Sequence, residues 1–152
     1  KTGAIPLGYL GDQAKTAKTF PVVEGTRWSV PGDRARRRSD GKIELLGRDS
    51  VTINTGGEKV FAEEVEAALL ATPGVADAVV VGRPSARWGQ EVVAVVQVEP
   101  GTQVSDEAIL AAAAERIARY KLPKTIIRVD HVVRSPAGKA DYRWATALAS
   151  GA

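Results

Sequence analysis

The chain has 152 residues, 44% hydrophobic and 26% charged, which excludes wholesale disorder and a collagen-like chain. It has no cysteine and one histidine, His131, which removes disulfides, thiolate metal sites and cysteine catalysis and leaves little for a histidine metal site or a serine–histidine triad. Its net charge of +3 is blocky: ten Lys/Arg against five Asp/Glu in residues 1–48, three against eleven in 49–115, and eight against two in 116–152. Aromatics do not interleave with the basic blocks, so a single-strand stacking platform is not expected.

The chain opens on Lys1 and contains no methionine, so it is expected to belong to a longer translation product. It has no apolar run of about 18 residues that would span a membrane. Residues 1–48 read poorly as an independent unit: they hold glycines, short apolar runs and the basic stretch Arg34-Ala35-Arg36-Arg37-Arg38. Ser39-Asp40-Gly41-Lys42 is a turn signal, and the strand Ile43-Glu44-Leu45-Leu46 after it completes a hairpin. This part is expected to need a neighbour to bury its inner face.

Regular patterning starts at residue 49. Residues 51–54 alternate and end at Thr55-Gly56-Gly57, a tight turn. Phe61, Val65, Ala68 and Leu69 recur at helical spacing, and Thr72-Pro73-Gly74 stops that helix. Residues 75–81 and 92–98 are valine-rich strands separated by a loop at 82–85. Ser105 caps a helix with Asp106 and Glu107 at its positive end and Ile109, Leu110, Ala113 and Ile117 on its apolar face. Tyr120-Lys121-Leu122-Pro123-Lys124 breaks it. Residues 126–133 form a third strand, holding His131 between Asp130 and Val132; an exposed loop, Ser135-Pro136-Ala137-Gly138-Lys139, follows. Asp141 caps a last helix. The order predicts an α+β domain: a small sheet with helices on one face, preceded by a hairpin.

Several residues suit chemistry. Lys139 follows a Pro-Ala-Gly turn that leaves its side chain free to bring a compact charge and three donors to a phosphate; alone it reads equally as a solvated turn lysine. Asp33 after Pro31-Gly32 suits ribose hydroxyls or an ordinary turn. Arg48 after Gly47 suits a ribose or phosphate contact, or pairing with a nearby carboxylate. Gly57, in Gly56-Gly57-Glu58-Lys59, permits close passage of a ligand that Lys59 would meet at a phosphate, or simply serves a hairpin turn. Glu63, Glu64 and Glu66 read as a solvated helix start rather than a metal site. Neither GxxxxGK[ST] nor GxGxxG occurs.

In order, the chain carries Gly8-Tyr9, Thr16, Phe20, Trp28, Pro31-Gly32-Asp33, Asp40-Gly41, Gly47-Arg48, Gly56-Gly57-Glu58-Lys59-Val60-Phe61, Glu63-Glu64-Val65-Glu66, Tyr120-Lys121-Leu122-Pro123 and Ser135-Pro136-Ala137-Gly138-Lys139. This series resembles, over essentially the whole chain, the C-terminal third of adenylate-forming enzymes: acyl-CoA synthetases, firefly luciferase and peptide-synthetase adenylation domains. GGEKVFAEEVE is similar to the fatty-acyl-CoA synthetase branch, and SPAGKADYRWA to bacterial fatty-acid or steroid-side-chain CoA ligases.

The resemblance implies a C-terminal remnant of a large domain in residues 1–48 and a mobile lid in 49–152. It implies ATP, coenzyme A and Mg²⁺, the ion held mainly by the missing N-terminal domain. The substrate would be a fatty or steroid-derived carboxylic acid. It makes Lys139 the adenylation lysine, Asp33 the ribose ligand aided by Arg48, Gly57 the glycine of the pantetheine channel, and Lys59 a cation near the nucleotide of coenzyme A. The hinge would fall at Asp49 and Ser50, where the family usually has Asp or Lys at the second position. It implies a cytoplasmic enzyme with peripheral membrane contact allowed, no nucleic-acid partner, and an inactive isolated chain. An acyl-AMP ligase, an amino-acid adenylation domain and a small basic binding module are the alternatives.

Overall fold

The computed structural model describes residues 5–151. The chain divides into two compact units, the first ending at Leu45 and the second beginning at Leu46.

In the first unit Asp12 caps a short helix, α1 (Gln13–Thr19), by accepting from Lys15 N at 2.8 Å. Two short strands, β1 (Val22–Val23) and β2 (Thr26–Arg27), pair antiparallel. The expected hairpin follows as β3 (Asp33–Arg37) and β4 (Ile43–Arg48), with Arg36 paired to Glu44 at 2.7 Å across it. The helix and the β1–β2 pair were not foreseen, because their apolar periods are too short to register. Lys15, Tyr9, Phe20 and Arg27 form a run of ring and cation contacts: the rings lie 5.9 Å apart, with cations 4.2 and 5.2 Å from their centroids. Among the described residues of this unit none is buried, and Leu7 is 93% exposed.

The second unit is built on a five-stranded sheet. After a single 3₁₀ turn at Asp49–Val51, β5 (Thr52–Thr55) and β6 (Glu58–Phe61) make an antiparallel hairpin around Gly56-Gly57. Helix α2 (Ala62–Leu70) leads into β7 (Val75–Ser85), which pairs antiparallel with β8 (Gly89–Val98). Helix α3 (Asp106–Ala114) is capped by Ser105, which accepts from Ala108 N. Then come β9 (Thr125–Val129), parallel to β8, and α4 (Tyr142–Ala149). One edge of β8 is covered by β7; the other is shared by β5, through Thr55↔Gly89, and β9, through 93–97.

Three boundaries differ from expectation. Residues 82–85 continue β7 instead of forming a loop: they pair with 89–92, and Pro84 is tolerated because β7 is an edge strand whose missing N–H costs no ladder bond. The third strand ends at Val129, so His131 is exposed outside it; the side-chain oxygen of Gln97 takes the Val132 N–H at 3.0 Å and draws the chain off the sheet. Helix α3 ends at Ala114, before Ile117, whose N–H shares the Ala113 carbonyl with that of Arg116.

Helices α2 and α3 lie on one face of the sheet, over Ala78, Val80, Val92, Ala94 and Val96. Helix α4 covers the opposite face, over Val79, Val81, Val93 and Val95. The helices expected on one face are there, and the sheet is in addition closed from behind. This is why β7 and β8 are continuous valine runs rather than alternating strands. No helix among the described residues is long and apolar enough to cross a membrane.

Candidate functional site

The loop bearing Lys139 closes on itself. Ser135 N donates to Lys139 O at 2.8 Å, Gly138 N to Ser135 O at 2.8 Å, and Lys139 N to Ser135 Oγ at 3.2 Å. Gly138 has φ 76°, a left-handed conformation that a side chain would oppose. Just before the loop, Arg134 bonds both carboxylate oxygens of Asp77 and donates to Gly138 O at 3.1 Å. Just after it, Asp141 Oδ1 caps α4 by accepting from Arg143 N and Trp144 N, both at 3.0 Å. The exposed Lys139 is thus carried between a sheet anchor and a helix start.

Lys139 opens on a cleft of about 420 Å³ lined also by Arg48, Ser50, Glu63, Glu66 and Tyr142. The structure therefore brings Lys139 to two residues that stand about ninety positions earlier in the chain, Arg48 and Ser50. Arg48 ends β4 and precedes the 3₁₀ turn; its N–H reaches Glu63 Oε1 at 3.3 Å and its carbonyl accepts from Thr52 Oγ1 at 3.1 Å. Asp49 and Ser50 form the start of that turn, closed by Thr52 N on the Asp49 carbonyl.

Gly57 and Lys59 do not line this cleft. They sit at the β5–β6 turn, both exposed, Gly57 with φ 87° and open space where a Cβ would point. The neighbouring Gly56 lies against the Trp88 ring at the β7–β8 turn and donates to the Trp88 carbonyl at 2.9 Å. Asp33 is the first residue of β3, in the first unit, directly after Gly32 at φ 88°.

The floor of the cleft was not read from the sequence. Glu66 is not part of a solvated helix start: it is 9% exposed, accepts from Val80 N at 2.9 Å and meets the Tyr142 hydroxyl at 3.3 Å. Burial, reinforced by the charge of Glu63 and opposed by the Val80 bond, pushes its carboxyl up from 4.5 to about 7. Burial and the charges of Glu66 and Glu63 likewise push the Tyr142 hydroxyl up. Glu64 instead pairs with Lys121, at 2.6 Å, and ties α2 to the chain before β9. The signal for Glu66 was available: it lies four residues after Ala62 and three before Leu69, on the inward face of α2. Asp77 could have been noticed as an acid inside a valine strand, and Arg134 as the residue leading into the Lys139 loop.

Residues 64–139 match the AMP-binding enzyme C-terminal domain, and the chain belongs to that family. It is 64% identical over 143 residues to medium-chain acyl-CoA ligase Mig of Mycobacterium avium, a match covering 94% of this chain and 26% of that protein. It is 53% identical over 145 residues to a 3-oxocholest-4-en-26-oate--CoA ligase of Rhodococcus rhodochrous, covering 95% and 26%. Among solved structures, ATP-bound MatB from Rhodopseudomonas palustris superposes with a TM-score of 0.77 at 29% identity, covering 93% of this chain and 28% of that one. A Mycobacterium tuberculosis fatty acyl CoA synthetase gives 0.69 at 30% identity, covering 95% and 28%. The chain spans about a quarter of the length of the curated relatives it matches.

Proposed function

We propose that this chain is the C-terminal part of an ATP-dependent acyl-CoA ligase, with a mobile lid in residues 49–152 and a remnant of the large domain in 1–48. Residues 1–4 of that remnant lie outside the described residues. The observation that carries the reading is Lys139: an exposed ammonium on a pinned glycine loop, opening on the same cleft as Arg48 and Ser50 and ending the family-matched segment.

In the first half-reaction a carboxylate oxygen attacks the α-phosphorus of ATP, and pyrophosphate leaves with the bonding electron pair. Lys139 meets the carboxylate and phosphate oxygens and stabilises the charge that builds there; its point-like ammonium with three donors suits two converging oxygens. Asp33 holds the ribose hydroxyls, and Arg48 assists. Rotation about Asp49 and Ser50 then exchanges the faces presented to the active centre. In the second half-reaction the thiol sulfur of coenzyme A attacks the acyl carbon. AMP leaves with its electron pair, and the thiol proton passes to solvent. Gly57, without a side chain, lets the pantetheine arm pass, and Lys59 meets the phosphates of its nucleotide.

In this reading Mg²⁺ accompanies ATP and is held mainly by the N-terminal domain. The substrate class in this reading is a medium-chain fatty or steroid-derived acid, supported by the names of the relatives above. The location that goes with this reading is the cytoplasm, where ATP and coenzyme A are at hand.

The test is Lys139→Ala in the full-length enzyme. Acid-dependent pyrophosphate exchange should fall by about 100- to 1,000-fold, the loss expected when one transition-state donor is removed. Thiolysis of supplied acyl-adenylate should persist. Equal loss of both half-reactions refutes the assignment.

A further inference from the structure

The hydrogen bonds inside the Lys139 loop close it but do not aim it, since each joins one residue of 135–139 to another. Its direction relative to the sheet comes from outside. Arg134 places two nitrogens on the two oxygens of Asp77, at 2.6 and 2.5 Å, and turns a third toward Gly138 O at 3.1 Å. Asp77 stands 57 residues earlier in the chain, near the start of β7. The pairing of β7 with β8 slips between Val75 and Asp77, and such an irregularity re-aims a side chain that regular pleating would commit to one face. Asp77 Oδ1 is itself fixed by accepting from Ala78 N at 2.8 Å. Arg134 and Ala140 then form an antiparallel bridge at the base of the loop.

We propose that Asp77 and Arg134 are positioning residues, a clamp from the sheet edge to the Gly138 carbonyl that holds Lys139 aimed at its substrate. The proposal rests on the reading of Lys139 as the adenylation lysine. A planar guanidinium suits this clamp, because its rigid fork spreads donors on three nitrogens over two carboxylate oxygens and a carbonyl; a lysine's single nitrogen cannot span all three. Gly138 is required too, since its left-handed φ presents the carbonyl to that fork. The bond to Arg134 also holds the Asp77 carboxyl below its ordinary range, as a committed pair demands.

The test uses two readouts. In the full-length enzyme, Arg134→Ala and Asp77→Asn should slow pyrophosphate exchange with a medium-chain fatty acid by about 10- to 100-fold, as displacement of a catalytic group by about 1 Å does. Thiolysis of supplied acyl-adenylate should not change, and Arg134→Lys should recover only part of the loss. In the 152-residue chain, amide hydrogen exchange at 138–140 should quicken in Arg134→Ala, with β7 and β8 protected as before. Wild-type exchange at 138–140, or equal loss of both half-reactions, overturns the clamp. If Lys139→Ala itself leaves adenylation intact, the lysine reading falls and the positioning role with it. Normal adenylation in Arg134→Ala beside a crippled Lys139→Ala sinks the clamp alone.

Discussion

Replacing Glu66 by Gln should flatten the pH dependence of this chain's stability between pH 5 and pH 8. The carboxyl is buried under α2, and its folded value of about 7 stands above its ordinary 4.5. A group whose folded pKa is raised binds more protons in the native state than in the unfolded one. Its contribution is fully present below pH 4.5 and lost as pH rises through 7. A shift of this size corresponds to about 3 kcal/mol in all, and about 2–3 kcal/mol of it disappears between pH 5 and pH 8. Gln resembles the protonated acid: it keeps an oxygen for Val80 N and offers an N–H to the Tyr142 hydroxyl. The variant should therefore match the wild type at pH 5 and exceed it at pH 8. Urea unfolding followed at several pH values measures this; with slopes of about 1–3 kcal/mol per molar, the two midpoints should separate by about 1 M or more at pH 8. Subtracting variant from wild type cancels other titrations. Curves that stay parallel across the range would refute a proton on Glu66, and with it the account of the cleft floor.

Two further outcomes follow from the linker before β5. If the lid rotates about this turn as proposed, Ser50→Pro in the full-length enzyme should stiffen it, sparing acyl-AMP formation and impairing thioester formation; pyrophosphate exchange and acyl-CoA synthesis measured side by side decide this. Gly47→Ala should destabilise the chain by about 1–3 kcal/mol, since Gly47 has φ 128° and a Cβ there would run into the Glu63 carboxylate that accepts from Arg48 N. Glu63→Ala in the same background should return part of that loss in a thermal melt; strict additivity of the two changes would show that they do not meet.

Much of the fold was legible because it is local. The Asp40-Gly41 and Gly56-Gly57 turns, the caps Ser105 and Asp141, and the stop at Thr72-Pro73-Gly74 each depend on a few neighbouring residues. Errors arose where a distant group overrides local preference. Pro84 looks like a loop residue, but β8 needs a partner and an edge strand tolerates it. His131 looks like a strand residue, but the Gln97 side chain has already taken the ladder bond of Val132.

Readable from the amino-acid order were the succession of motifs, the glycines that permit left-handed turns, and the lysine carried on one of them. These are short-range matters of backbone freedom and side-chain chemistry. Tertiary structure alone decided that Arg48, Ser50 and Lys139 share a cleft and that α4 closes the second face of the sheet. It alone buried Glu66 and joined Arg134 to Asp77. The reason is that burial and charge pairing depend on what the chain brings near across tens of residues. One carboxylate on α2, Glu66, becomes a buried acid and another, Glu64, a half-buried ion pair with Lys121 only when the sheet beneath and the segment before β9 are in place.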